Sequence, residues 1–139
     1  MRPNTLTEAV ERIQIGASQE ETLAEFVDTF DLAPTNAARY MTIAEEPVLT
    51  NDIRLDALVG AIAEYLAKQH RLGRVPPWAS GSARYLDHPW HTCPLANDAM
   101  REYLTFASPG EFSSRNIFTE ERPLRRARRP FGRQIPDET

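Results

Sequence analysis

The chain has 139 residues, of which 41% are hydrophobic and 26% charged, a composition that excludes a disordered chain and is typical of one globular domain. Residues 1–121 hold ten basic and eighteen acidic side chains (−8), whereas residues 122–139 hold six arginines and two acids (+4). A single cysteine, Cys93, excludes an intrachain disulfide. No segment approaches the ~18 apolar residues of a membrane span, and the N-terminus lacks an apolar signal region, so we expect a cytoplasmic protein.

Two capping boxes begin the first two predicted helices. Thr5-Leu6-Thr7-Glu8 predicts a helix that ends at Gly16. Its apolar face is formed by Leu6, Ala9, Val10 and Ile13. Ser18-Gln19-Glu20-Glu21 predicts a second helix, whose 3,4-spaced apolar stripe consists of Leu23, Phe26, Val27 and Phe30. On the opposite side of this helix we expect Glu20, Glu21, Glu25 and Asp28. Residues 1–44 are therefore interpreted as an acidic helical pair.

Two further helices are predicted before residue 73. The shorter one runs from about Asn36 to Glu45 between two prolines, and it carries Ala37, Tyr40, Met41 and Ala44. The longest one runs from about Asp52 to His70, and Gly73 suits its C-terminal cap. One face of this helix is lined by Leu55, Leu58, Val59, Ile62, Tyr65, Leu66 and Gln69. We predict that it is the core helix.

The chain becomes irregular from Arg74 to Leu95, where prolines and both tryptophans cluster. A turn of helix is expected at about Ser80–Leu86. Helical pattern resumes after the predicted N-cap Asn97, with inward positions at Met100, Tyr103, Leu104 and Ala107. Ser108-Pro109-Gly110-Glu111 is a third capping box and predicts a short helix over Pro109–Arg115. Ile117 and Phe118 are then expected to place apolar side chains on the core.

These patterns predict an all-α protein, a small bundle of about five to six helices with an irregular Pro/Trp-rich connector and a basic C-terminal arm. The domain is expected to cover residues 1–121, and the Arg-rich tail residues 122–139. No strand-like alternation exceeds about four residues, and no internal repeat is present.

The segment from His88 to Cys93 contains the residue types of a zinc site, His88, His91 and Cys93. A structural zinc needs a second ligand pair, and the only other histidine is His70. A three-ligand catalytic site, or a Cys93 nucleophile with His91 as its base, would need a cleft and an orienting group. The alternative, which we favour, is an aromatic turn packed on the core.

No glycine-rich phosphate loop, nucleophile elbow or kinase signature occurs in the sequence. We therefore predict a protein that is not an enzyme, requires no cofactor or metal and binds another protein.

Two charged regions suit such binding. The acidic helical residues Glu21, Glu25 and Asp28 would contact a basic partner, or else form only a solvated face. The tail arginines could grip carboxylates of a protein or phosphates of a nucleic acid, or could serve solubility. The predicted partner-binding residues of the tail are Arg122, Arg125, Arg126, Arg128 and Arg129. Trp90 belongs either to the core or to the interface.

A series of short motifs between residues 45 and 121 resembles a group of small actinobacterial proteins encoded beside a nucleotidyltransferase-like protein, in an arrangement like that of toxin–antitoxin pairs. The motifs are Glu46-Pro47-x-Leu49 with Asp52, Arg54-Leu55-Asp56-Ala57-Leu58, Ala63-Glu64-Tyr65-Leu66, Pro77-Trp78, Tyr85-Leu86-Asp87, Pro89-Trp90, Ser108-Pro109-Gly110-Glu111-Phe112 and Arg115-Asn116-Ile117-Phe118. The resemblance implies an antitoxin-like partner of a nucleotide-transferring enzyme. The alternatives are a nucleic-acid-binding transcriptional regulator that acts through the tail, and a small metal-dependent enzyme.

Overall fold

The computed structural model describes residues 1–93, 95 and 97–127. Within this part of the chain there are six α-helices and one short two-stranded sheet, which confirms the predicted all-α class. The described residues divide into two compact units. The first unit comprises residues 1–47 and 124–127, and the second unit comprises residues 48–123. None of the described helices is long and apolar enough to cross a membrane.

The first unit contains α1 (Leu6–Gln14), α2 (Gln19–Leu32) and α3 (Asn36–Ile43). Both predicted N-caps of the helical pair are confirmed. The Thr5 hydroxyl accepts the Glu8 N–H at 3.0 Å, and the Ser18 hydroxyl accepts the Glu21 N–H at 3.3 Å. The Glu8 carboxylate accepts the Asn4 N–H at 2.7 Å. This hydrogen bond, together with a second one from Arg12, holds the pKa of Glu8 below its usual range.

Packing among the three helices produces an apolar interior in the first unit. Its buried side chains are Leu6, Ala9, Val10, Leu23, Phe26, Val27, Phe30 and Ile43. The stripe predicted for α2 is thus confirmed. The face predicted for α3 is wrong, because Met41 is exposed and Ile43 is the buried residue of that helix. The helix also ends at Ile43 rather than at Glu45.

The second unit is built around α4 (Ile53–Gln69). Two 3₁₀ helices, Pro77–Ser80 and Ser82–Arg84, pack on α4 together with α6 (Gly110–Ser113). The Asp52 carboxylate begins α4 by accepting two backbone N–H groups. The C-cap of α4 is His70, and the chain then turns through positive φ at Arg71 and Gly73, so the prediction of Gly73 as the C-terminal cap is wrong. The predicted core helix is confirmed.

A parallel pair of two-residue strands completes the second unit, β1 (Trp90–His91) and β2 (Ile117–Phe118). Such short strands leave no periodic pattern in a sequence. Between them lie α5 (Asp98–Ala107) and α6. Ile117 is fully buried and Phe118 half-buried, so the predicted inward position holds for the first of them.

The third capping box is wrong. Pro109 stands at the N-cap of α6 without a side-chain hydrogen bond, and α6 is only four residues long. The Ser108 hydroxyl accepts the Thr119 N–H at 2.7 Å instead. This bond fixes the α5–α6 turn to the residue that follows β2.

Candidate interaction surfaces

The described part of the predicted basic arm lies against α2 within the first unit. Arg125 Nη1 is 3.5 Å from Glu20 Oε2, and both side chains are exposed. Arg126 forms an ion pair with the carboxylate of Asp31. Part of the arm therefore neutralises part of the acidic helix of the same chain.

Of the other predicted arm residues, the structure describes Arg122. Arg122 lies in the second unit with an exposed side chain. Arg128 and Arg129 lie outside the described residues, as does Arg133.

The acidic face of α2 is narrower than its sequence suggested. Glu21 is exposed and Glu25 is half-buried. Asp28, however, is only 2% exposed, so its predicted place on a solvated face is wrong. The reason is that α1 and α3 both pack on α2, and Thr29 also donates to the carbonyl of Pro3 at 2.7 Å. The chain therefore covers α2 well beyond its apolar stripe.

Among the described helices of the second unit, α5 carries the largest group of exposed apolar side chains, which are spaced three residues apart. Phe106 is 81% exposed, Tyr103 52% and Met100 43%. We call these three residues the α5 surface. The prediction that Met100 and Tyr103 face inward is wrong, whereas Leu104 is buried as predicted. The described element that packs most extensively on α5 is β2, a strand of two residues, which is too small to cover a wide apolar face.

Acidic side chains surround the outer end of the α5 surface. Phe106 borders a groove of about 610 Å³, whose other lining residues are Tyr65, Gln69, Ala107, Pro109, Gly110, Glu111 and Glu121. Glu121 is exposed and Glu111 half-buried. An exposed aromatic ring thus stands beside carboxylates, an arrangement that suits a ligand with both apolar and basic groups.

The connector places its aromatic and histidine side chains around β1. Trp90 is half-buried, and the Arg54 guanidinium lies 5.2 Å from the centroid of its ring. The His91 ring stacks on Phe118 with a centroid distance of 5.1 Å. His88 and Cys93 are exposed, and Cys93 is a free thiol. Trp90 is therefore neither a fully buried core residue nor an open surface residue.

The described residues contain no group of three or more His, Cys, Asp or Glu side chains placed to hold a metal ion. His91 and Phe118 form an aromatic stack, while His88 and Cys93 are exposed, so only part of this turn is packed as predicted.

Two buried arginines, Arg115 and Arg84, make contacts that the sequence did not reveal. Arg115 is 0% exposed. Its guanidinium donates to Glu64 Oε1 at 2.6 Å, to the carbonyl of Ala79 at 2.6 Å and to the carbonyl of Glu111 at 2.7 Å. It also lies 4.6 Å from the ring centroid of Tyr85. Arg115 thus joins α4, α6 and the first 3₁₀ helix of the second unit.

Glu64 is the anionic partner of Arg115. Its other carboxylate oxygen, Oε2, lies 2.7 Å from Lys68 Nζ. Burial raises the pKa of Glu64, but hydrogen bonds from Lys68 and Arg115 outweigh burial and hold that pKa below its usual range. The same bond to Glu64 raises the pKa of Lys68. Glu64 is therefore ionised throughout the neutral range.

Arg84, the second of these arginines, is 1% exposed. Its guanidinium is 4.9 Å from the ring centroid of Trp78 and donates to the carbonyl of Asp56 at 3.4 Å. Gly60 of α4 permits this approach, because a Cβ at that position would be 2.9 Å from the Cβ of Arg84 and 3.3 Å from Nε of Arg115. A glycine inside a helix is the one sequence signal of such close packing.

Comparisons of the chain with protein-family models, with curated proteins and with solved structures found no match.

Proposed function

We propose that this chain is a non-enzymatic, antitoxin-like protein that binds a nucleotidyltransferase-type enzyme and restrains or accompanies it. The observation that carries the proposal is the α5 surface. Aromatic side chains are enriched at the energetic centres of protein interfaces, and contiguous exposed apolar groups mark interaction sites. Phe106 at 81% exposure is such a group.

The charges around the α5 surface indicate the chemistry of the partner. Glu111 and Glu121 lie beside Phe106 in the groove, and the exposed Glu102 precedes Phe106 by one helical turn. The partner would therefore present an apolar pocket for the ring, surrounded by Arg or Lys side chains. An enzyme that handles nucleotides or nucleic acid has a basic surface of this kind, because it must attract phosphates.

Electrostatic complementarity would favour rapid association with such an enzyme and would keep its phosphate-bearing substrate away. In the first unit, Glu21 and Glu25 would add further negative charge. A cytoplasmic, actinobacterial toxin–antitoxin pair is the biological setting that we propose, on the strength of the sequence resemblance.

Co-expression with the product of the adjacent gene tests this proposal. We expect the two proteins to elute as one complex in size-exclusion chromatography at micromolar concentration. The variant Phe106→Ser should weaken that complex at least about tenfold, because an aromatic anchor at an interface contributes about 2 kcal/mol or more.

The matched control is Ile15→Ser, which removes an apolar side chain that is 87% exposed, but in the first unit. This variant should bind as the original chain does. Separate elution of the two unmodified proteins would overturn the proposal, and equal weakening by both variants would remove the α5 surface from it.

The nucleic-acid alternative is distinguished in the same preparations. It requires DNA binding that weakens steeply with salt and disappears when residues 122–139 are deleted. Engagement of Arg125 and Arg126 with α2 carboxylates does not favour it, because those guanidinium groups would first have to leave their partners.

A further inference from the structure

We infer that the second unit contains a nucleotide-binding cleft formed by Arg54, Trp90, His91 and Arg101. The cleft has a volume of about 620 Å³, which lies within the range of ~300–1,000 Å³ for small-molecule sites. Its remaining lining residues are Pro89, Thr92 and Cys93. None of these described lining residues is acidic, although the chain as a whole carries a net charge of −4. The cleft is thus a local basic site on an acidic protein.

Two guanidinium groups supply the positive charge. Arg54 is exposed at the start of α4, and the contact that holds its guanidinium is the Trp90 ring at 5.2 Å. Arg101 Nη1 lies 3.6 Å from the Asp98 carboxylate. Because Asp98 is fully exposed and Arg101 is 55% exposed, this pair is weak and exchanges readily for a stronger anion.

The floor of the cleft is held in place by the backbone. The Trp90 N–H donates to the carbonyl of Asn116 at 2.8 Å, and the Thr92 N–H donates to the carbonyl of Phe118 at 3.0 Å. The His91 ring is oriented by its stack on Phe118. Because strand pairing fixes the backbone of this floor and stacking orients the His91 ring before any ligand arrives, the floor would lose little conformational entropy on binding.

The combination of groups selects the chemistry of the ligand. One guanidinium group can donate two parallel hydrogen bonds to the oxygens of a phosphate. Planar aromatic and guanidinium groups stack on nucleobases. The Arg54–Trp90 stack presents such planes next to Arg101. A nucleoside monophosphate satisfies both requirements, whereas a bare anion would leave the stacking planes unused. The nucleotide could be free or could be the phosphorylated end of a single strand.

Titration of the full chain with adenosine 5′-monophosphate tests the inference, with binding followed by tryptophan fluorescence and by equilibrium dialysis. We expect saturable binding that alters the emission. The variants Arg54→Gln and Arg101→Gln should each weaken binding at least about tenfold, since each removes charge-assisted hydrogen bonds to the phosphate. Both side chains are exposed, so circular dichroism should show an unchanged fold.

Arg71→Gln is the matched control, because it removes an exposed positive charge beyond the opposite end of α4. Binding should survive this change. Trp90→Phe should abolish the fluorescence response while dialysis still detects the nucleotide. A 5′-phosphorylated oligonucleotide that binds at least ten times more tightly than the monophosphate would identify a strand end as the ligand. Similar affinities would identify a free nucleotide.

Three results would overturn the inference: no saturation by nucleotide or oligonucleotide at millimolar concentration, equal losses in the Arg54 and Arg71 variants, or inorganic phosphate that binds as tightly as the monophosphate. An acidic peptide that displaces the monophosphate at lower concentration would do so too. The outcome is independent of the α5 surface, because Phe106 does not line the cleft.

Discussion

The interiors of the two units differ in kind. In the first unit the largest buried side chains are apolar, among them Phe26 and Phe30. In the second unit the two largest are Arg84 and Arg115. The first interior depends on apolar area removed from water, which tolerates exchange between side chains of similar volume. The second depends on hydrogen bonds and ring contacts made by the two guanidinium groups, because a buried charge that loses its partners is costly.

Replacement by methionine in each interior gives the largest expected contrast. Arg115→Met should lower the free energy of unfolding by about 3 kcal/mol, since it removes the donor to Glu64 and to the carbonyls of Ala79 and Glu111. Phe26→Met should cost less than about 1.5 kcal/mol as an apolar exchange. Denaturant unfolding followed by circular dichroism measures both losses, and the fluorescence of Trp78 and Trp90 reports on the second unit, which holds both tryptophans. Equal losses would refute the contrast.

Acid should act on the buried contacts of Arg115 through Glu64. Because its pKa is lowered in the folded state, its contribution to stability is fully present above the unfolded pKa and is lost as pH falls through the folded value. The original chain should therefore be more stable than Glu64→Gln at neutral pH, and this difference should shrink below about pH 5. Denaturant unfolding across that range measures it. The control is Glu120→Gln, which replaces an exposed acid. If the stability of Glu64→Gln depends on pH in the same way as that of this control, the contacts of Glu64 do not cause the pH dependence.

A methyl group at Gly60 should lower the free energy of unfolding by less than Arg115→Met does. Gly60→Ala places a Cβ 2.9 Å from the Cβ of Arg84, and such overpacking costs about 1–3 kcal/mol, against a gain of about 1 kcal/mol in helix propensity. We expect a net loss of up to about 2 kcal/mol in the free energy of unfolding. Gly110→Ala is the matched control, because no atom lies within 4 Å of its added Cβ, and its stability should not fall. If Gly60→Ala has a higher free energy of unfolding than the original chain, the side chains of Arg84 and Arg115 move aside at little energetic cost.

The arm should have the smallest effect. The double variant Arg125→Gln, Arg126→Gln removes ion pairs to Glu20 and Asp31 at the edge of the first unit. Surface pairs contribute about 0–1 kcal/mol each and are screened by salt. Circular dichroism during unfolding should show a small loss at low ionic strength that vanishes in high salt. A loss that persists in high salt would place the arm among the structural elements of the first unit.

The same contrast explains what the sequence could reveal. Local signals predicted the caps at Thr5, Ser18 and Asn97, because a cap depends on residues next to one another in the chain. The stripe of α2 and the length of α4 follow from periodicity in the same way.

The features that the sequence did not predict depend on contacts between residues that are far apart in the chain. Arg115 meets Glu64 across 51 positions, and nothing near either residue marks the pairing. Asp28 is covered by neighbours that periodicity does not count. Met100 and Tyr103 form an inward pattern on α5, yet the described elements supply no surface wide enough to cover them. Among the candidate sites, the sequence indicated Trp90 and the charged regions. The α5 surface and the cleft between Arg54 and Arg101 could be recognised only in the folded structure.

The first unit is discontinuous along the chain, since residues 124–127 belong with residues 1–47, while the second unit is one continuous stretch. Synthesis on a ribosome runs from the N-terminus to the C-terminus. The whole of the second unit is therefore translated before Arg125 and Arg126 exist. Glu20 consequently lacks its ion pair with Arg125 on the nascent chain until residue 125 has been synthesised, and a basic binding partner that reaches α2 before then meets no competition from the arm.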